Sequence, residues 1–125
     1  MRKSLTRKER LRGRAALRRL FSFSRKNTKG GQAVRMAAGQ GARLLAAENG
    51  LAYTRVVVCL VRKYGGAVPR NRARRVGKEA YRCIKSLVKP GFDLAFILLP
   101  GVLSYGERIS LFSNLLKKAG LLRED

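Results

Sequence analysis

The 125-residue chain carries 29 Lys or Arg against seven acids and no histidine, a net charge of +22. It repels itself and attracts phosphate backbones, and without imidazole it lacks the usual general base of neutral pH. An apolar content of 46% excludes wholesale disorder, and the length suits one domain with a modest core.

No apolar run approaches the roughly 18 residues of a membrane span. The N-terminus is basic with no apolar stretch before a cleavage site, so no secretory signal is expected and the expected location is the cytoplasm. Glu9, Glu48, Glu79, Asp93, Glu107, Glu124 and Asp125 are dispersed along the chain. A two-metal nuclease needs carboxylates converging on ions about 4 Å apart, and no such cluster stands out. Cys59 and Cys83 lie in apolar segments and read as buried free thiols. Two cysteines without histidine cannot complete a tetrahedral zinc site.

In chain order, residues 1–35 hold thirteen Lys or Arg against one acid, Glu9. Residues 1–5 read as a loose basic arm. Thr6 and Glu9 fit a capping box opening a helix over residues 7–20, with Leu11, Ala15, Leu17 and Leu20 on its buried side. Phe21 and Phe23 follow. Residues 24–31 are a polar, glycine-bearing turn, and residues 32–38 a strand. Residues 39–50 are bracketed by glycines, and ARLLAAE within them has helical composition, which suggests a loop with one or two helical turns. TRVVVCLV at 54–61 is the clearest strand, apolar enough to be buried on both faces.

Gly65 and Gly66 break that strand, and Pro69 suits the first turn of a helix over residues 70–89. At about 100° per residue, Ala73, Val76, Ala80, Cys83, Ile84 and Leu87 fall on one side. Arg70, Arg74, Arg75, Lys78, Arg82 and Lys85 fall on the opposite side, with Asn71 among them and Arg72 at the edge. Only Glu79 opposes these cations, so the helix reads as a polyanion-binding ridge backed by a core. Pro90 and Gly91 end it, and FDLAFILL at 92–99 is a second buried strand. Ser104 and Glu107 make another capping box, leading an amphipathic helix with Ile109, Leu111, Phe112, Leu115 and Leu116 inside. Gly120 stands at its C-terminal cap.

The pattern is an α/β sandwich of helices on a small sheet. It admits a ribonucleoprotein subunit or a structural ribosomal protein. A double-stranded DNA binder lacks a dimerisation heptad, and a self-contained metal nuclease lacks clustered acids.

Residues 62–82, RKYGGAVPRNRARRVGKEAYR, resemble the signature of the bacterial ribonuclease P protein family, where a lysine-glycine-x-alanine-valine turn leads into an Arg-Asn-Arg helix. The basic leader, the preceding strand and SYGERISLFSNLLKKAGLL at the end extend the resemblance over most of the chain. It implies one domain over residues 1–125: a helix, three strands, the basic helix, a strand and a helix, with a left-handed strand-helix-strand crossover. It also implies the protein subunit of a ribonucleoprotein endoribonuclease, whose RNA holds magnesium and hydrolyses the phosphodiester that joins the 5′ leader to precursor tRNA. The implied partners are the ribonuclease P RNA and precursor tRNA, with no membrane and no cofactor held by the protein alone.

Carried over by resemblance, Arg70, Asn71, Arg72, Arg74, Arg75, Lys78 and Arg82 belong to the RNA-binding helix. Arg62 and Lys63 match the basic end of the strand before it. Leu17 and Phe21 match the leader-binding cleft, with Leu17 standing where the family usually has phenylalanine. Arg35 is a candidate for the cleft residue expected from the second strand.

Overall fold

The computed structural model describes residues 9–11, 35–101 and 104–123. Four strands, β1 (Arg35–Gly39), β2 (Ala42–Glu48), β3 (Arg55–Leu60) and β4 (Phe92–Leu98), form one sheet in the order β1-β2-β4-β3. β2 runs antiparallel to both β1 and β4, and β3 runs parallel to β4. Helix α1 (Ala67–Ile84), extended by a 3₁₀ turn at Lys85–Leu87, connects the parallel pair, and α2 (Tyr105–Lys118) follows β4. The helix expected over residues 7–20 lies outside the described residues except at positions 9–11. There Arg10 forms a parallel bridge to Val56, and the Leu11 amide donates to the Val56 carbonyl at 2.8 Å.

One expectation fails outright. ARLLAAE is a strand, and a central one, paired on both sides. Gly41, at φ 97°, takes the left-handed turn position between β1 and β2. The pairing then places Ala42, Leu44 and Ala46 on one buried face and Leu45 and Ala47 on the other. Two ladders and double-sided burial outweigh the intrinsic helical preference of alanine, leucine and glutamate.

The main core lies between the sheet and the two helices. Phe96 of β4 stacks on Phe112 of α2 with ring centroids 4.0 Å apart, and Tyr81 of α1 tilts against Phe96 at 6.0 Å. Leu44, Leu94, Leu98, Leu115 and Leu116 fill the space around them. Across the sheet, Leu11 joins Leu45, Ala47 and Ala95 in a smaller cluster.

Helix α1 is rotated by about 55° from the orientation read from its apolar residues. Its buried side is Ala73, Gly77, Ala80, Tyr81 and Ile84, while Cys83 and Leu87 are exposed and Val76 half-buried. Cys59 is half-buried, and both thiols are free. Gly77 accounts for the rotation: a Cβ there would sit 3.0 Å from Cγ1 of Val58, tighter than nearly all Cβ contacts, so glycine favours the close approach of the helix to the sheet on this side. The roughly 1 kcal/mol cost of a mid-helix glycine is thereby offset by a tighter layer contact.

Both ends of α2 follow sequence logic. Ser104 and Glu107 form the reciprocal capping box. At the other end, Gly120 has φ 73°, its amide reaches the Lys117 carbonyl and the Leu121 amide reaches that of Leu116, a Schellman closure. The bond from the Ser104 backbone amide, followed by that of its side chain, holds the Glu107 carboxyl below its usual range.

Gly77→Val should destabilise the fold by about 1–3 kcal/mol through overpacking, read as a lower urea midpoint at unchanged slope. Because Glu107 has a lowered folded value, its contribution is present above its unfolded value of about 4.3 and is lost as pH falls through the lowered one. The stability gap between the parent chain and Glu107→Gln should therefore close on acidification, as tracked by urea midpoints from pH 7 to pH 3.

Candidate nucleic-acid interface

With Ala73, Gly77, Ala80, Tyr81 and Ile84 against the core, α1 turns its cations outward. Arg72, Arg74, Arg75 and Lys78 are exposed together with Asn71, and Arg70 and Arg82 are half-exposed. Arg70 Nη1 donates to the Arg62 carbonyl at 3.4 Å, tying the first helical turn to the exposed Arg62 and Lys63 after β3. Lys85 leaves the row, since its ammonium pairs with Glu9 at 3.1 Å. The helix has no acid in its first turn and no side-chain cap at Gly66, so its N-terminal amides add partial positive charge to the same end.

Arg74 and Lys78 border a cavity of about 270 Å³ at the outer edge of β3, completed by Arg10, Leu11, Tyr81 and residues 56–58. Burial pushes the Tyr81 hydroxyl and the Cys59 thiol up, with Arg74 partly opposing the shift at Cys59. The basic helix therefore meets the second face of the sheet along this edge.

Pairing defines that second face. Ala38, Arg43, Ile97 and Cys59 form one row across it, and Met36, Leu45, Ala95 and Val57 the next. Met36 is 59% exposed and Arg43 is exposed, so the early strands present these two side chains here. Arg35 faces the other way: its Nη1 donates to the Ala119 carbonyl at 2.8 Å, and its guanidinium lies 5.3 Å from the Phe92 ring centroid. It is therefore removed from the cleft candidates. Met36 and Arg43 could not be found without the β1–β2 register. Leu17 and Phe21 lie outside the described residues.

Three of the described acids serve structure. Asp93, buried on β4, accepts two bonds of 2.7 Å from Arg55 and one of 3.0 Å from Asn49. Glu9 serves Lys85 and Glu107 serves the α2 cap. Among the described residues no three His, Cys, Asp or Glu side chains are grouped to hold a metal ion, and no helix is long and apolar enough to cross a membrane.

Fold and surface together define an α/β protein that offers a cationic helix to phosphates, with its carboxylates spread apart. The family model described as Ribonuclease P matches residues 5–120. A ribonuclease P protein component from Thermotoga maritima is 32% identical over 98% of this chain and 97% of its own length. One from Clostridioides difficile is 50% identical over 46 residues, 36% of this chain and 40% of its own length. The solved structure of the Thermotoga maritima protein superposes with a TM-score of 0.72 at 25% identity, over 88% of this chain and 96% of that one. The chain belongs to the ribonuclease P protein family. It is accordingly the protein part of a ribonucleoprotein endoribonuclease of tRNA processing, with the ribonuclease P RNA as its partner.

Proposed function

We propose that α1 docks on the ribonuclease P RNA through Arg70, Asn71, Arg72, Arg74, Arg75 and Lys78. Arg62 and Lys63 extend the contact at one end and Arg82 at the other. The 5′ leader of precursor tRNA lies along the second face of the sheet, where Met36 and Arg43 are offered by the early strands, with Leu17 and Phe21 as its further contacts. Phe21 supplies a stacking platform, and Met36 and Arg43 supply an apolar surface and a phosphate partner. Hydrolysis is carried out by magnesium ions on the RNA, a reading supported by the lack of any metal-holding group of acids among the described residues. The observation that carries this reading is the solvent-facing row Arg72, Arg74, Arg75 and Lys78 on a helix whose opposite side is core. Family membership sets aside the ribosomal alternative.

Neutralising Arg70, Arg74 and Arg75 together should weaken RNA binding and flatten its salt dependence. The log–log slope should fall by about 0.7–0.9 for each phosphate that is no longer neutralised, and an unchanged slope would remove α1 from the interface. A leader-removal assay tests the division of labour. The protein alone should cleave nothing, the RNA alone should cleave weakly at low magnesium, and the two together should cleave efficiently. In the same assay, Phe21→Ala should cost about 1–3 kcal/mol of binding for leader-bearing substrate and nothing for leaderless tRNA. Cleavage by protein alone, or an equal loss on both substrates, would sink the respective half of the proposal.

A further inference from the structure

On the side of α1 turned toward α2, away from Arg74 and Lys78, lies a groove of about 410 Å³ lined by Tyr64, Val68, Pro69, Ala73 and Val76, with Arg72, Gly101 and Arg108. Arg108 comes from the first turn of α2 and is only 2% exposed. Its Nη1 reaches the Gly41 carbonyl at 3.4 Å, and its side chain bonds to that of Tyr64, whose hydroxyl in turn donates to the Gly101 carbonyl at 3.3 Å. These partners are neutral, and among the described residues no carboxylate pairs with Arg108. A buried guanidinium with no counter-charge is costly, and burial lowers its pKa. The groove is therefore bordered by a desolvated guanidinium that no carboxylate pairs among the described residues.

The walls narrow the choice of anion. Apart from the two arginines they are apolar, and the volume falls in the range of small-molecule sites. Val68 stands at the lip, 80% exposed within a cationic helix. A second, shallower depression, lined by Val68, Asn71, Arg72 and Arg75, joins the groove to the basic face. A simple inorganic anion would leave the apolar wall wet, and a fatty chain would leave the guanidiniums unmatched. We infer that the groove receives one nucleoside monophosphate unit, its base against Val68, Pro69, Val76 and the Tyr64 ring, its phosphate between Arg72 and Arg108. The inference rests on the reading of α1 as the RNA-facing helix and extends it: an extruded nucleotide of the bound RNA supplies the unit, and a free mononucleotide carries the same chemistry.

The test uses the full chain, isotope-labelled, with amide shifts of Val68, Val76 and Gly101 followed during separate titrations with adenosine monophosphate, adenosine and inorganic phosphate. Saturable shifts are expected with the nucleotide, at least fivefold weaker binding with either fragment, and loss of the nucleotide response in Val68→Glu, whose carboxylate would occupy the groove. Val68 is exposed, so this variant should fold. No response to the nucleotide, or equal binding of phosphate alone, overturns the site. The second arm measures affinity for the ribonuclease P RNA. Val68→Glu should weaken it about tenfold relative to Asn114→Glu, which adds the same charge on the exposed side of α2. Equal affinities would restrict the groove to free nucleotides and overturn its role in RNA docking. If the variant neutralised at Arg70, Arg74 and Arg75 also keeps full RNA affinity, the proposed interface itself fails. If that variant loses affinity while Val68→Glu matches its control, only the extruded nucleotide is lost.

Discussion

The short distance between α1 and the sheet is the constraint on which the rest of the structure depends. Ala73, Gly77 and Ala80 present almost no bulk to Val58 and Leu98, so the helix settles close, and larger side chains at Tyr81 and Ile84 fill the end of the contact. That seating fixes the rotation of α1 about its axis. Since side chains three and four positions apart share a face, fixing the buried side at 73, 77, 80, 81 and 84 also fixes where the arginines point. A helix seated by bulkier residues would turn Arg74 and Lys78 away from the edge of β3. The charge display follows from the packing.

The seven acids show how a chain this cationic stays folded. Self-repulsion at +22 opposes compaction, and the described carboxylates oppose it where their effect is largest. Asp93 is buried and accepts with both carboxylate oxygens from the Arg55 guanidinium, joining β3 to β4 at the start of their parallel register. A paired ion at such depth mainly enforces arrangement, since the cost of desolvation cancels much of the attraction. Glu9 ties the N-terminal segment to the end of α1 through Lys85, and Glu107 closes the start of α2. Among the described residues no carboxylate pairs with Arg70, Arg72, Arg74 or Arg75.

Much of this was legible in the sequence, because it rests on local signals. The strands β3 and β4, the capping box at Ser104, the glycine closing α2 and the cationic row of α1 are written in residue type and spacing, although β3 is an edge strand in which only Val56 and Val58 are buried rather than a strand buried on both faces. What was not legible depends on partners distant in sequence. ARLLAAE suits a helix until β1 and β4 claim its two edges. Arg35 looks like a cleft residue until the register places it over Phe92 beside the end of α2. Cys83 looks buried by periodicity, yet the close fit at Gly77 rotates it outward, where its sulfur meets the Tyr105 hydroxyl. Arg108 sits among the apolar positions of α2, and nothing local reveals that it goes inside.

Arg108 also bears on why an RNA partner suits this fold. A polyanion bound along α1 relieves the repulsion among Arg70, Arg72, Arg74 and Arg75, and a ligand that prefers the folded chain stabilises it by mass action. The free protein therefore holds its cations in a geometry it must maintain against their mutual repulsion, and the complex removes that opposition. In the proposed interface, counterion release would supply the driving force and make it depend on salt, whereas the helix seat, the β3 edge and the buried Arg108 guanidinium would set where the RNA lies. Charge provides affinity without direction here, and packing provides the direction.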